Sequence, residues 1–201
     1  MSERVVEIPW ALSRLGGARR VLDVGPALAI PEYVRHLTAA GIPELHGVDL
    51  LDRAVPGMTM ARADVRALPY PDEYFDLITC ISTLEHIGRD NTEWRIEGGQ
   101  ETEGDLKALI ELCRVLTASG RLLVTVPFGE PGDYGWFRQY DLKGWHDLLG
   151  RAALKAARLD YFGYEPTGWT VVVDPARLQT RRYRTLGAPG ATALLCAVLS
   201  R

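Results

Sequence analysis

At 201 residues, 47% hydrophobic and 24% charged, the chain has the size and balance of one globular α/β domain with a substantial core. Its net charge of -3 offers no general attraction to nucleic acid or to an anionic membrane. No apolar run approaches the roughly 20 residues that span a bilayer, and the opening "MSERVVEIPW" lacks a signal-peptide pattern, so a cytoplasmic protein is expected.

In chain order, "EIPWALSRL" (7–15) predicts an amphipathic helix with Pro9 near its start and Trp10 facing inward. A buried strand follows at 20–25, "RVLDVG". "IPEYVRHLTAAG" (30–41) predicts a helix, with Pro31 in the first turn, Val34, Leu37 and Ala40 on one face, and Gly41 as terminator. Further strands are expected at 44–50, 74–82 and 120–129, short, apolar and bounded by Gly, Pro or Asp. Between the last two lies "GDLKALIELCRVLTASG" (104–120), a helix capped by Asp105. Its stripe is Leu106, Leu109, Ile110, Cys113 and Leu116, and Gly120 ends it. A helix over 141–157 precedes strand-like 158–173, the basic turn "RRYR" (181–184) and a final strand at 191–200. Alternating strands and helices predict a doubly wound α/β fold, mostly parallel, with a C-terminal antiparallel hairpin on the sheet edge. Cys80, Cys113 and Cys196 lie far apart in apolar runs, which fits buried free thiols and no metal cluster. The whole of 1–201 is expected to form a single domain, since no internal repeat or linker breaks it.

Ligands of such sheets bind at the carboxyl ends of the strands, where strand order reverses. The first strand-to-helix turn, Asp23 to Ala29, belongs there. A dinucleotide needs glycines so that backbone N–H groups can crowd around its diphosphate. Here Pro26 has no N–H, and Ala27 and Ala29 each add a methyl group. S-adenosylmethionine has no phosphate and needs only close backbone approach. Asp49, at the end of the second strand, can accept both ribose hydroxyls. Asp64 can accept the adenine amine, with the Val65 N–H beside it.

Four segments, "VLDVGPALA", "LHGVDL", "ADVRALPYPDEYFDLITCISTLEHIG" and "LCRVLTASGRLLVTVPFG", together resemble the class I S-adenosylmethionine-dependent methyltransferases over roughly residues 20–130. The resemblance implies a Rossmann-like methyltransferase domain that binds S-adenosylmethionine through Asp23, Gly25, Ala27, Asp49, Leu50, Asp64, Val65 and Ser82. It places Asp23 near the methionine amino group, and residues 1–19 as a helical cover in which Trp10 is either a site contact or a packing residue. Glu-His, the acidic Gly-Asp loop, Val-Pro-Phe-Gly and Arg-x-Tyr-Asp are similar to methyltransferases associated with bacterial glycan or polysaccharide synthesis.

A hydroxyl acceptor must lose its proton, and His86 in "STLEHIG" is the candidate base, with an ordinary pKa near 6.5 suited to neutral pH. Glu85 and His86 could equally serve as backbone caps. The polar stretch 88–105, with Asp90, Glu93, Glu97, Glu101, Glu103 and Asp105, fits a solvated lid better than a divalent metal site, and Trp94 is its apolar anchor. Phe128, Trp136, Phe137, Arg138 and Tyr140 form either an acceptor wall or a packed cluster. With Glu85 and Trp94, the expected acceptor contacts are therefore Phe128, Trp136, Arg138 and Tyr140. The expected function is methyl transfer to a small-molecule or glycan acceptor at oxygen, with no metal, no nucleic acid partner and a homodimer allowed. The alternative is a catalytically inactive protein that keeps the cofactor or a partner; a nicotinamide-dependent oxidoreductase is disfavoured by the loop.

Overall fold

The computed structural model describes residues 1–94 and 100–201. Among the described residues there are ten strands: β1 (Arg20–Val24), β2 (Glu44–Asp49), β3 (Thr59–Arg62), β4 (Phe75–Ile81), β5 (Leu116–Pro127), β6 (Gly132–Asp133), β7 (Arg138–Gln139), β8 (Lys155–Glu165), β9 (Gly168–Val172) and β10 (Ala193–Ser200). Eight of them form one sheet in the order β3-β2-β1-β4-β5-β10-β8-β9, while β6 and β7 make a small separate ribbon. The first five positions of the large sheet pair in parallel, and β10 runs antiparallel to both β5 and β8. Strand order reverses between β1 and β4, so the carboxyl ends of these two strands open onto the crevice where ligands of such sheets bind.

Neighbouring residues on each central strand face opposite sides. Leu22, Ile78 and Leu122 belong to one buried cluster, with Leu109 and Leu112 of helix α3 (Gly104–Val115) and Trp145 of helix α4 (Leu142–Arg151). Val21, Leu77 and Leu123 belong to the other, with Trp10 of helix α1 (Arg4–Leu12) and Tyr33 and Leu37 of helix α2 (Pro31–Thr38). This period-two alternation is what a sheet covered on both faces requires.

Several boundaries differ from expectation. Helix α3 ends at Val115 and β5 begins at once, so Gly120 lies inside a strand. The buried face of α3 is Leu106, Ala108, Leu109, Leu112 and Val115, leaving Ile110 exposed, because the sheet rather than the simple stripe sets the rotation of the helix. Helix α4 stops at Arg151, and Lys155–Ala157 enter β8. The strand-like run 158–173 folds back on itself as β8 and β9, and the final strand inserts between β5 and β8 rather than at the edge. The turn 181–184 is packed: Arg181 and Arg182 pair with Glu165 and Glu130, and the Tyr183 ring lies 4.7 Å from Phe137. Among the described residues, no helix is long and apolar enough to cross a membrane.

Candidate active site

A cavity of about 290 Å³ opens at the carboxyl ends of β1, β2 and β4. Its floor is the turn after β1. Gly25 sits there at φ +83°, and a Cβ on it would lie 2.9 Å from the Thr83 hydroxyl, so the left-handed turn and the close approach both call for glycine. Three backbone N–H groups of this turn are already engaged. That of Gly25 donates to the Val48 carbonyl (2.9 Å), that of Ala29 to the Pro26 carbonyl (3.2 Å) and that of Ala27 to Asp49 (3.0 Å), while Pro26 has none. A diphosphate would therefore find almost no free donors. A nucleoside attached to a sulfonium needs acceptors for its hydroxyls and amine instead, and the cavity wall supplies two carboxylates. Asp49 accepts the Ala27 N–H on Oδ2 and the Leu51 N–H (2.9 Å) on Oδ1, which fixes its plane at the end of β2. Asp64 also lines the cavity, joined to Arg66.

Asp23, Gly25, Asp49, Leu50, Asp64, Val65 and Ser82 all line this cavity. Ala27 does not, because its side chain is buried beneath the turn and its N–H serves Asp49. The Asp23 carboxyl accepts from Thr79 Oγ1 (2.6 Å) and Tyr33 Oη (2.7 Å), both on Oδ1. Burial pushes its pKa up to about 6 against the pull of those two hydrogen bonds. Ser82 follows β4 directly at φ +44°, a strained conformation for a residue with a side chain and one that gathers at functional sites. Its hydroxyl donates to Glu7, and its N–H donates to Thr125 Oγ1 (3.0 Å).

Glu7 also accepts from Thr125 Oγ1 (2.9 Å) and from Arg4 (2.8 Å). With the Trp10 indole donating to Asp160 (2.8 Å), these bonds hold α1 against the sheet and put Arg4 and Ile8 into the cavity wall. Trp10 itself is a packing residue, buried against the sheet. The helix begins at Arg4, three residues earlier than expected, with Pro9 in its interior. Arg4, Ile8 and Arg66 are wall residues that the sequence did not single out. Only Arg66 left a visible signal, its place two positions after Asp64.

His86 lines the cavity from the short 3-10 turn after β4. Its Nδ1 lies 2.8 Å from the Trp136 carbonyl, which can only accept, so Nδ1 carries the proton and Nε2 keeps its lone pair. The ring stacks on Trp136 (5.2 Å, 21° between planes) and meets Trp94 edge-on (5.1 Å). Burial pulls the imidazole pKa down to about 4, against the Trp136 hydrogen bond and with help from the Arg4 charge. The ordinary value near 6.5 therefore does not apply, and His86 is a neutral acceptor throughout the physiological range.

The other expected acceptor contacts divide. Trp94 is on the cavity wall, and Trp136 backs His86 from behind. Phe128 is wholly buried against Tyr161 (ring centroids 5.1 Å apart) and belongs to the core. Arg138 (2.6 Å) and Tyr140 (2.9 Å) both donate to Asp105, tying the start of α3 to β7, and neither reaches the cavity. Apolar side chains were better buried there than exposed to an acceptor, and the donors were used to satisfy a buried carboxylate. Three further acids of 88–105 are similarly occupied: Asp90 holds Thr92 (2.7 Å), Glu101 pairs with Arg66 (2.6 Å) and Glu103 with Arg151 (2.5 Å). Glu97 lies outside the described residues. No group of three or more His, Cys, Asp or Glu among the described residues is arranged to hold a metal ion.

Glu85 is 3% exposed, absent from the cavity wall, and its Oε2 has no hydrogen-bond partner among the described residues. Burial, reinforced by Glu7 and Glu3, pushes its pKa up to about 8. Between the ordinary carboxylate pKa and pH 8 the folded protein keeps a proton that the unfolded chain has lost, so stability falls as pH rises through that window. Glu85→Gln removes this cost. It should stabilise the protein at pH 8.5 by about 2 kcal/mol or more, with a gain that shrinks towards zero at pH 4.5. Urea unfolding at the two pH values measures it, and an equal change at both would refute the assignment.

Comparison with known proteins identifies the family of the chain. Residues 22–124, just over half of the chain, match a family described as a methyltransferase domain. The ubiquinone/menaquinone biosynthesis C-methyltransferase UbiE of Serratia proteamaculans is 29% identical over 145 residues, which cover 71% of this chain and 48% of that protein. The UbiE of Yersinia pestis is 32% identical over 116 residues, covering 57% of this chain and 40% of the relative. The chain thus spans less than half the length of these relatives. Among solved structures, an S-adenosylmethionine-dependent methyltransferase from Mesorhizobium loti superposes with a TM-score of 0.61 at 13% identity, covering 100% of this chain and 98% of that one. The 1,6-didemethyltoxoflavin-N1-methyltransferase of Burkholderia thailandensis, with bound 1,6-didemethyltoxoflavin and S-adenosylhomocysteine, gives 0.61 at 14% identity over 97% of this chain and 78% of its own. At such identities the structures report a shared fold.

Proposed function

Because the chain belongs to the methyltransferase domain family, we propose that it transfers the methyl group of S-adenosylmethionine to a hydroxyl of a small-molecule or glycan acceptor. In this reading residues 1–201 act as one domain and α1 is its cover. The observation that carries the reading is the fixed tautomer of His86: Nδ1 is committed to the Trp136 carbonyl, and the Nε2 lone pair belongs to a residue of the same wall as Asp49 and Asp64.

Bound in the cavity, S-adenosylmethionine supplies an electrophilic methyl carbon on a positively charged sulfur, open to in-line displacement. Asp49 and Asp64 hold the nucleoside, and the N–H groups spent within the 25–29 turn leave no competing diphosphate site. Nε2 of His86 would take up the proton of the acceptor hydroxyl, leaving its oxygen free to displace the sulfur from the methyl carbon. Trp136 and Trp94 fix the imidazole plane, so alignment rather than basicity carries most of the rate, and positioning of this kind contributes several kcal/mol (roughly 7–11 at best).

A second reading is favoured by the relatives, whose names specify C-methyl transfer. If the acceptor is a phenol, removal of its proton also makes the ring carbons nucleophilic, and the same His86 serves either atom.

Calorimetry with S-adenosylhomocysteine, followed by incubation with methyl-labelled S-adenosylmethionine and a small-molecule extract, tests the proposal. One-to-one binding and label on an ether oxygen are expected. Label on a ring carbon favours the second reading. Absence of binding to either form of the cofactor sinks both.

A further inference from the structure

The wall residue Arg66 carries an arrangement that its neighbours do not explain. Its backbone N–H and its Nε both donate to Asp64 Oδ1 at 2.9 Å, and Nη2 donates to Oδ2 at 2.5 Å. Its remaining terminal nitrogen, Nη1, donates to Glu101 Oε2 at 2.6 Å. Glu101 is itself fixed. Its N–H donates to the Gly88 carbonyl (2.9 Å), its carbonyl accepts from Gly104 (3.1 Å), and its second carboxylate oxygen accepts from Lys107. Gly88 and Gly104 cross at this point: a Cβ on Gly88 would lie 2.3 Å from the Glu101 carbonyl oxygen. A guanidinium in a rigid fork thus spans two carboxylates, one on the cavity wall and one anchored outside it, and Arg66 and Asp64 both line the cavity.

We propose that Arg66 is a positioning residue for base recognition: it orients the Asp64 carboxylate as a hydrogen-bond acceptor for an exocyclic amine, and Glu101 holds Arg66 in place from outside. This rests on the reading of the cavity as an S-adenosylmethionine site. The same hydrogen bonds hold the Asp64 carboxyl below the usual carboxylate range, so it stays ionised and can only accept. A purine with an amine at C6 offers a donor to it. A purine with a carbonyl there sets lone pairs against lone pairs, and the site rejects it. The flat face of the guanidinium adds a surface against which a purine ring can lie.

The test compares S-adenosylhomocysteine with its deaminated analogue, S-inosylhomocysteine, by calorimetry on the full chain and its variants. The wild-type protein should prefer the amine form by about tenfold to a hundredfold, the range for one hydrogen bond to a charged group. R66A should lose most of that preference. R66K should fail to restore it, because an ammonium cannot make the parallel pair. E101Q, which leaves the Asp64–Arg66 pair intact, should fall between. The preference is a ratio within each variant, so loss of global stability does not mimic the effect, and E101Q and R66K carry the test if R66A does not fold. An unchanged ratio in R66A and R66K overturns the proposal. Equal wild-type affinity for both ligands overturns it while leaving the cofactor reading intact, and wild-type affinity for neither removes that reading and the proposal with it.

Discussion

Replacing His86 with Phe should lower turnover by about 10²–10⁴-fold, the range for loss of a positioned general base, while leaving S-adenosylhomocysteine affinity within about threefold. Phe keeps a ring between Trp136 and Trp94, stacked at 5.2 Å on the one and edge-on at 5.1 Å to the other, so the aromatic packing survives. What it removes is the Nε2 lone pair, together with the Nδ1–H bond to the Trp136 carbonyl. His86→Ala should be equally inactive but also less stable, since it opens a hole in that stack. The pH profile separates this assignment from others. With an imidazole pKa pulled down to about 4 by burial, His86 stays deprotonated at neutral pH and gains a proton only below about 4. The acid limb of kcat/KM should then lie well under the ordinary histidine value, and a limb near pH 6.5 would assign the base elsewhere. Turnover by His86→Phe at the wild-type rate would remove the residue from the chemistry.

The central strands were legible because each is a short apolar run ended by Gly, Pro or Asp, as at Val24–Gly25 and Val48–Asp49. β3 left no such trace. Thr59–Arg62 is four residues at the sheet edge with no fully buried side chain, so no hydrophobic pattern was needed to place it. The end of α3 was misjudged because the helical spacing runs on to Leu116, already the first residue of β5, and Gly120 looks like the terminator, so periodicity alone cannot place the junction. At the site, strand ends predicted the cavity wall well: Asp49, Asp64, Ser82 and His86 all reach it from positions fixed by the alternation of strand and turn. Loop aromatics could not be sorted in advance. Phe128 and Trp136 are of one residue class, yet one lies in the core against Tyr161 and the other lies against His86, because burial depends on what the rest of the chain brings to each. Arg4 was invisible for the same reason. It enters the wall because Glu7 bonds Ser82 and Thr125, 75 and 118 residues away, and no local pattern encodes contacts of that separation.

Asp49→Ala should reduce S-adenosylhomocysteine affinity by on the order of a hundredfold, a larger loss than any other single change to the wall. Two effects add. On the proposed reading the ribose hydroxyls lose their acceptor, and the N–H groups of Ala27 (3.0 Å) and Leu51 (2.9 Å) lose the partner that sets the turn after β1 beside the end of β2. Asp49→Asn should recover little. The carboxylate accepts a backbone N–H on each oxygen, and an amide has only one acceptor atom, so its NH₂ group must face one of those donors. Asp49→Glu keeps the charge but lengthens the arm, so it cannot meet the Ala27 and Leu51 N–H groups in the same plane, and should also bind poorly. The three variants therefore share one outcome for one geometric reason, which distinguishes it from a general effect of charge. Calorimetry reads the affinities, and thermal unfolding without ligand checks that each variant is folded. Should Asp49→Asn bind S-adenosylhomocysteine as tightly as the wild type, the ribose must rest on some other part of the wall, and the cavity would need to be oriented afresh.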